Sequence, residues 1–538
     1  MRELQERFAP PGQLTRRQVL VGGALWALAA CSGDGTRDAS SGSPLPNASG
    51  LPGAPKHGGT LRVGIIGGTN DLVDGQYITA KPDIARLVTG WESLATYDDA
   101  FNVSFDQGLA EQVEAKAADL YVIRVRDGVE FHNGKTLTAD DVVYSFKRAI
   151  DPTLGINPSL AALLDPSGVT KIDTRTVQIE LTQPAVTFLD SLALYAFGMV
   201  PDGYSRDDPE QVGTGPFKLT NFTPGSESQH VRHENYWQPD KPYLDAVHII
   251  DFADSTALLN ALIAGQLDCV CDVPFAQVDA IKARDDLEIL ESKGGTWLPI
   301  TMAVDQAPFD DVRVRRAFRL IVDREEMVER VLSGYGRVAN DLYAPLDPCY
   351  AGDLPQRAQD IAQAKALLQE AGQVALEVEL FAPNDVAGLA DMAAVFADHA
   401  RAAGVEVTVR ILPSGEYWGD DYCKRTFATG FWGTRPYLSQ VPLSSLDTAV
   451  YPETHWPPDG SSFADKYLEA LRTTDSNARC EIVRALQEEE YNDGGNIIAF
   501  FSNLVDGYRS SVHGFVSRPN VVNLDHFGRG FKNIWLDT

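Results

Sequence analysis

Basic residues are scarce in this chain of 538 residues, where 46 Lys and Arg stand against 75 Asp and Glu and leave a formal net charge of −29. A surface so acidic repels phosphate backbones, which excludes nucleic acid as a partner and reads instead as a strongly solvated exterior. Long apolar runs are missing too: beyond residue 30 no stretch has the ~20 uncharged apolar residues that span a bilayer. Cysteine is rare, six in all. The Cys269-Val-Cys271 spacing is not that of a zinc ribbon, and no second Cys or His pair stands at metal-ligand spacing, so neither a metal nor a cofactor is expected. Catalytic signatures are absent as well. No Gly-x-Ser-x-Gly elbow occurs. Five residues separate Gly128 from Gly134-Lys135-Thr136 where a phosphate loop has four, and His233-Glu234 meets Trp237 where a zinc-protease helix needs its second His. The chain is therefore not expected to be an enzyme.

The N-terminus carries an address. Thr15-Arg16-Arg17-Gln18-Val19-Leu20 is a twin-arginine region, although Val19 stands where such signals prefer Phe, and the apolar run from Val19 to Ala30 is too short to span a membrane. Leu28-Ala29-Ala30-Cys31 has the small-residue pattern of a lipoprotein cleavage site, which predicts a signal peptide over 1–30, lipidation of Cys31 and attachment to the membrane through that lipid alone. Loss of residues 1–30, with four Arg and two Glu, leaves a charge of −31. Ser, Gly, Pro, Asn and Asp then dominate residues 31–57, which bury no core and are expected to form a flexible tether. About 480 residues follow, too many for one hydrophobic core. With Cys31 acylated, five cysteines remain; one disulfide among them suits an oxidising envelope, with its pairing open.

Past the tether, strand and helix signals alternate. Gly58-Gly-Thr-Leu-Arg-Val-Gly-Ile-Ile opens as a strand, and Leu120 to Val125 is another. Asp127-Gly128 and Asn133-Gly134 are turn pairs, and Thr138-Ala-Asp-Asp opens a helix. Gly213-Thr-Gly-Pro-Phe-Lys-Leu, His233-Glu-Asn-Tyr-Trp and Leu244 to Phe252 come next. Ala257 to Leu267 has helical apolar spacing closed by Gly265. Asp310 or Asp311 caps a helix whose Val314, Ala317, Phe318 and Ile321 point inward. A further helical period over 363–372 and the helix end at Gly404 complete the pattern.

These blocks, in this order, resemble the extracytoplasmic solute-binding proteins of ABC importers, in the peptide, opine and nickel group (family 5). The resemblance implies an α/β fold of the type II periplasmic-binding-protein kind, two lobes with an additional inserted domain. It places lobe I at 58–76, 210–297 and 503–538, the inserted domain at 77–209 and lobe III at 298–502. It implies capture of a small-molecule solute between lobes and delivery to the transmembrane subunits of an ABC permease, by a monomer on the periplasmic or cell-surface side of a bacterial membrane. An envelope-tethered hydrolase built from scattered residues, or a ligand-sensing receptor with no transport partner, is the alternative.

Ligand identity is argued at the loop from Gly430 to Gln440. In peptide-binding relatives the matching Trp-x-Ala-Asp stretch supplies an aspartate for the peptide's amino terminus; here Arg435 stands at that position. An α-ammonium would meet repulsion there, whereas a carboxylate could be held bidentately. The expected ligand is a carboxylated non-peptide, such as an opine or sugar derivative, rather than an ordinary peptide. Trp297, Trp432 and Tyr437 are expected to stack on it, Thr434 and Gln440 to orient it by hydrogen bonds, and Gly433 to allow close approach.

Overall fold

The computed structural model describes residues 54–78, 80–193, 197–384, 386–519 and 522–537. The twin-arginine segment, Cys31 and most of the tether lie outside them.

One mixed sheet of eleven strands runs through the molecule. At its centre lie the two longest strands, Leu287–Met302 and Asn496–Arg509, paired antiparallel. Their pairing is broken twice, between Ser292 and Thr296 and again between Trp297 and Pro299. Leu287 to Ser292 lies against Leu504 to Arg509, and Thr296 to Thr301 against Asn496 to Ser502. Lys293, Gly294 and Gly295 therefore face Asn503 alone, a bulge of the kind that bends and twists a strand pair. On one side of this pair the sheet continues through Cys269–Val270, Thr60–Ile66 and Ala246–Phe252 to the hairpin of Phe217–Thr223 and Glu227–Arg232. On the other it continues through Phe427–Thr429 and Glu377–Pro383 to Glu406–Leu412.

Each side buries its own core. Leu61, Val63, Val247 and Ile249 pack on the first with the helix Lys81–Gly90. Ile300, Met302, Phe318, Phe396 and Phe427 pack on the second. A separate antiparallel sheet, in the order Ala110–Ala117, Leu120–Val125, Thr176–Leu181, Leu164–Lys171, carries a third core with the helix Ala139–Ala149. This third unit touches a further core, that of Trp297, Tyr343 and Tyr437, where Val186 N–H donates to Leu471 C=O at 3.0 Å.

Local chemistry accounts for the element ends. Asp311 caps the helix Val312–Ile321 by accepting from Arg313 N–H at 2.8 Å, and Val314, Ala317, Phe318 and Ile321 are fully buried. Gly265, Gly372 and Gly404 stand at helix C-termini with φ of 76°, 76° and 81°, the left-handed conformation that a side chain resists. Among the cysteines, Cys349 and Cys480 form a disulfide, while Cys269, Cys271 and Cys423 are free thiols.

Candidate functional site

The loop predicted to meet ligand leaves the sheet at Gly430, directly after the strand Phe427–Thr429. That strand pairs with Ile300 to Met302, so the emerging chain runs beside Trp297 to Pro299. Gly430 N–H donates to Pro299 C=O at 2.9 Å, and Trp297 and Trp432 exchange both backbone hydrogen bonds, at 3.1 and 3.0 Å. Glycine at 430 leaves room for the Glu453 carboxylate, since a Cβ there would stand 2.7 Å from Glu453 Oε1 and push it from its place under the stack described next.

This pairing brings four predicted or neighbouring rings into one stack. Tyr437 lies on Tyr343 (centroids 5.1 Å), Tyr343 on Trp297 (5.2 Å) and Trp297 on Trp432 (5.9 Å), all within 16° of parallel. Trp297, Trp432 and Tyr437 are buried, at 2%, 6% and 1% exposure. Two buried acids hold the stack. Glu453 accepts from Trp432 Nε1 at 2.8 Å and from Tyr422 Oη at 2.8 Å. Glu490 accepts from Tyr437 Oη at 2.6 Å and from Tyr343 Oη at 3.0 Å. Burial outweighs these donors and pushes both carboxyls up to about 7, since a charged carboxylate is poorly solvated there.

The remaining predicted residues divide. Thr434 is buried and its Oγ1 accepts from Gly295 N–H at 2.8 Å. Gln440 is buried and its Nε2 donates to Ser444 Oγ at 3.1 Å. Gly433 is exposed, with nothing within 4 Å of where a Cβ would be. Arg435 is half-buried; its Nη1 is shielded from solvent and has no hydrogen-bond partner, and its guanidinium makes no ion pair among the described residues. The half-buried Tyr451 lies near it, and four residues earlier in the loop Phe431 is 49% exposed, its ring edge-to-face with Trp418. The loop is anchored beyond Arg435 by Tyr437 N–H, which donates to Asp347 Oδ2 at 2.7 Å.

An unpaired guanidinium at an aromatic rim, over a rigid base, can take up an anion without first breaking an internal bond. Sequence reading placed Arg435 and Trp432 on one loop and Trp297 in a separate segment, but missed Tyr343, Glu453, Glu490 and Asp347, which lie on other elements and carry no local motif. Phe431, which with Trp432 stands between Gly430 and Gly433, was legible as a large apolar residue in a glycine-flanked turn.

Comparison with known proteins gives a consistent answer. The model for "Bacterial extracellular solute-binding proteins, family 5 Middle" matches residues 105–453. Heme-binding protein A of Haemophilus influenzae is 32% identical over 336 residues, 55% of this chain and 61% of that protein. The dipeptide-binding protein of Escherichia coli is 27% identical over 452 residues, 77% of this chain and 84% of that one. Among solved structures, the binding protein AgaA of A. tumefaciens R10 in complex with agropinic acid superposes with a TM-score of 0.72 at 22% identity, covering 89% of this chain and 99% of its own. The α/β periplasmic-binding-protein architecture expected from sequence is the one found.

Proposed function

The chain belongs to the bacterial extracellular solute-binding proteins of family 5, and from that membership we propose that it is the capture component of an ABC importer. Two lobes, 58–76 with 210–297 and 503–538 on one side and 298–502 on the other, close over a small solute, with 77–209 as an inserted third unit. The closed form is presented to permease subunits by a monomer tethered through a lipid on Cys31. No helix among the described residues is long and apolar enough to cross a membrane.

The solute is a carboxylated non-peptide, of opine or sugar-acid type. One observation carries this reading: Arg435 presents a half-buried guanidinium with no internal counter-ion in a protein of charge −29. In so acidic a chain, an arginine without a carboxylate partner is best explained by a partner that arrives from outside. The stacked aromatics then act as the floor of the site, and Phe431, Gly433 and Tyr451 line its rim.

The test is a thermal-shift screen of residues 32–538 against opines, sugar acids, neutral sugars, di- and tripeptides, glutathione and heme. A ligand at a hundredfold its Kd stabilises the folded state by about 2.7 kcal/mol. Shifts with carboxylated non-peptides that vanish in Arg435→Gln are expected. Shifts with peptides alone would sink the carboxylate argument, and no shift with any class would count against capture itself.

A further inference from the structure

Where the two central strands lose register, one peptide group is held at both ends by side chains. The Gly294 carbonyl accepts from Arg337 Nη2 at 2.5 Å, and the N–H of the same peptide unit, that of Gly295, donates to Thr434 Oγ1 at 2.8 Å. Both glycines are buried, so these polar groups have no solvent to fall back on, and leaving either unpaired would be costly. The fit is close as well as polar: a Cβ on Gly295 would stand 2.9 Å from Thr434 Cγ2, and one on Gly294 would stand 3.0 Å from the Ser502 carbonyl. Arg337 also reaches the opposite strand, where Nη1 donates to Asn503 Oδ1 at 3.2 Å, and Asn503 Nδ2 closes the circuit on Glu291 Oε1 at 2.7 Å. The aromatic face of Phe501 lies 5.1 Å from the Arg337 guanidinium and fixes its plane.

We propose that the Gly294–Gly295 peptide is the pivot of lobe movement, and that Thr434 and Arg337 are positioning residues that clamp it and couple it to the ligand loop. The geometry allows this because glycines 294 and 295 lie in the bulge between Ser292 and Thr296, the one of the two register shifts in the joining strand pair that is built on glycine. Rotation of one half against the other is concentrated where ladder hydrogen bonds are missing, so the orientation of this peptide reports the angle between the halves. Thr434 is covalently next to Arg435. An anion that draws the guanidinium toward itself moves the hydroxyl that holds Gly295, and by linkage a change at the pivot alters affinity at Arg435. Thr434 thus has its hydroxyl committed to the hinge rather than to solute. The inference rests on the capture reading, but its test does not use a ligand.

Hydrogen–deuterium exchange at Gly295 and small-angle X-ray scattering of the full chain, both without ligand, provide that test. Thr434→Val keeps the shape and removes the hydroxyl; it is expected to speed Gly295 exchange about tenfold, the loss of one buried hydrogen bond, and to shift the scattering profile. Thr434→Ser restores the oxygen and is expected to behave as the parent. Arg337→Lys, which cannot serve Gly294 and Asn503 together, gives the same readouts from the carbonyl side and serves where the valine variant does not fold. Unchanged Gly295 exchange in both Thr434→Val and Arg337→Lys, an acceleration that Thr434→Ser shares, or faster exchange with an unaltered scattering profile each overturns the proposal. Failure of solute capture would register separately, as silence in the thermal-shift screen.

Discussion

Arg435 and Trp432 share a loop, and the structure predicts opposite responses to truncation. Arg435 makes no hydrogen bond or ion pair among the described residues, so Arg435→Ala leaves stability within about 0.5 kcal/mol of the parent, as for a surface substitution. Trp432 stacks on Trp297, donates to Glu453 and is 6% exposed. Its replacement by Ala opens a cavity and removes a donor from a buried acid, with a cost of about 3–5 kcal/mol. Urea titrations of the two variants check this pair. A Trp432→Ala protein as stable as the parent would return the ring to the list of ligand contacts. The contrast also shows how far single residues could be read from sequence. The reversed charge at 435 was legible because it is a property of one position. The burial of Trp432 was not, because the flanking glycines suggest an open turn while the partners that enclose the ring, Trp297, Tyr343 and Glu453, come from other elements. The same holds for Thr434, whose hydroxyl points at a glycine in the hinge strand.

At the scale of elements, sequence signals worked where one short segment contains the whole cause. Asp311, Asp323 and Asp254 cap the helices that follow them by accepting backbone N–H groups, and each is followed by apolar residues at helical spacing. Leu120–Val125 alternates inward and outward as a half-buried strand should. Pairing between distant elements was not legible, and the cysteines illustrate it: five candidates gave no connectivity, yet one bond joins the 347–351 turn to the helix Ser476–Asp493. Gln487 of that helix reinforces the link by accepting from Ala351 N–H and donating to the Cys349 carbonyl, both at 2.9 Å. The turn carries Asp347, which anchors the start of the helix after Arg435, so the bond lies one step from the candidate site. Cys349 and Cys480 are 131 residues apart, and a cross-link over so long a loop restricts the unfolded chain strongly. Cys349→Ser with Cys480→Ser is expected to lose about 2–5 kcal/mol. Equal denaturation midpoints for the double variant and the oxidised parent would show that the bond contributes nothing.

For the whole molecule, charge and burial combine into a pH response that composition alone does not give. Glu453 and Glu490 under the aromatic stack, and Asp190 and Asp506 elsewhere, are all buried, and in each burial pushes the carboxyl up to about 7. Asp190 is raised further by Asp347 and eased by Arg479, Ser439 and Tyr97. Asp506 is raised further by Asp272 and eased by Asn523 and the backbone N–H groups of Leu524 and Asp272. A carboxyl whose folded pKa lies above its unfolded value near 4 keeps a proton that the unfolded chain has already released. Its contribution is complete below the unfolded pKa and is lost as pH rises through the folded one. The buried histidines His132, His230 and His526, pushed down to about 3, act in the opposite sense, but only below about pH 6.5, where an unfolded imidazole takes up a proton. Between pH 6.5 and 8 the four acids act with other buried carboxyls pushed up by burial, such as Glu92 and Asp347, against Lys532, which burial pushes down to about 8. Repulsion within a chain of charge −29 works in the direction of the acids. Stability is expected to fall across this interval, and the double variant Glu453→Gln with Glu490→Gln to fall less steeply than the parent. Melting temperatures at pH 6.5, 7.0, 7.5 and 8.0, in one salt concentration, check both statements. A flat or rising parent curve would mean that the two acids beneath the aromatic stack are ionised in the folded protein. The aromatic floor of the candidate site would then carry two negative charges, and an anionic solute would meet a weaker positive field than the unpaired guanidinium provides over neutral acids.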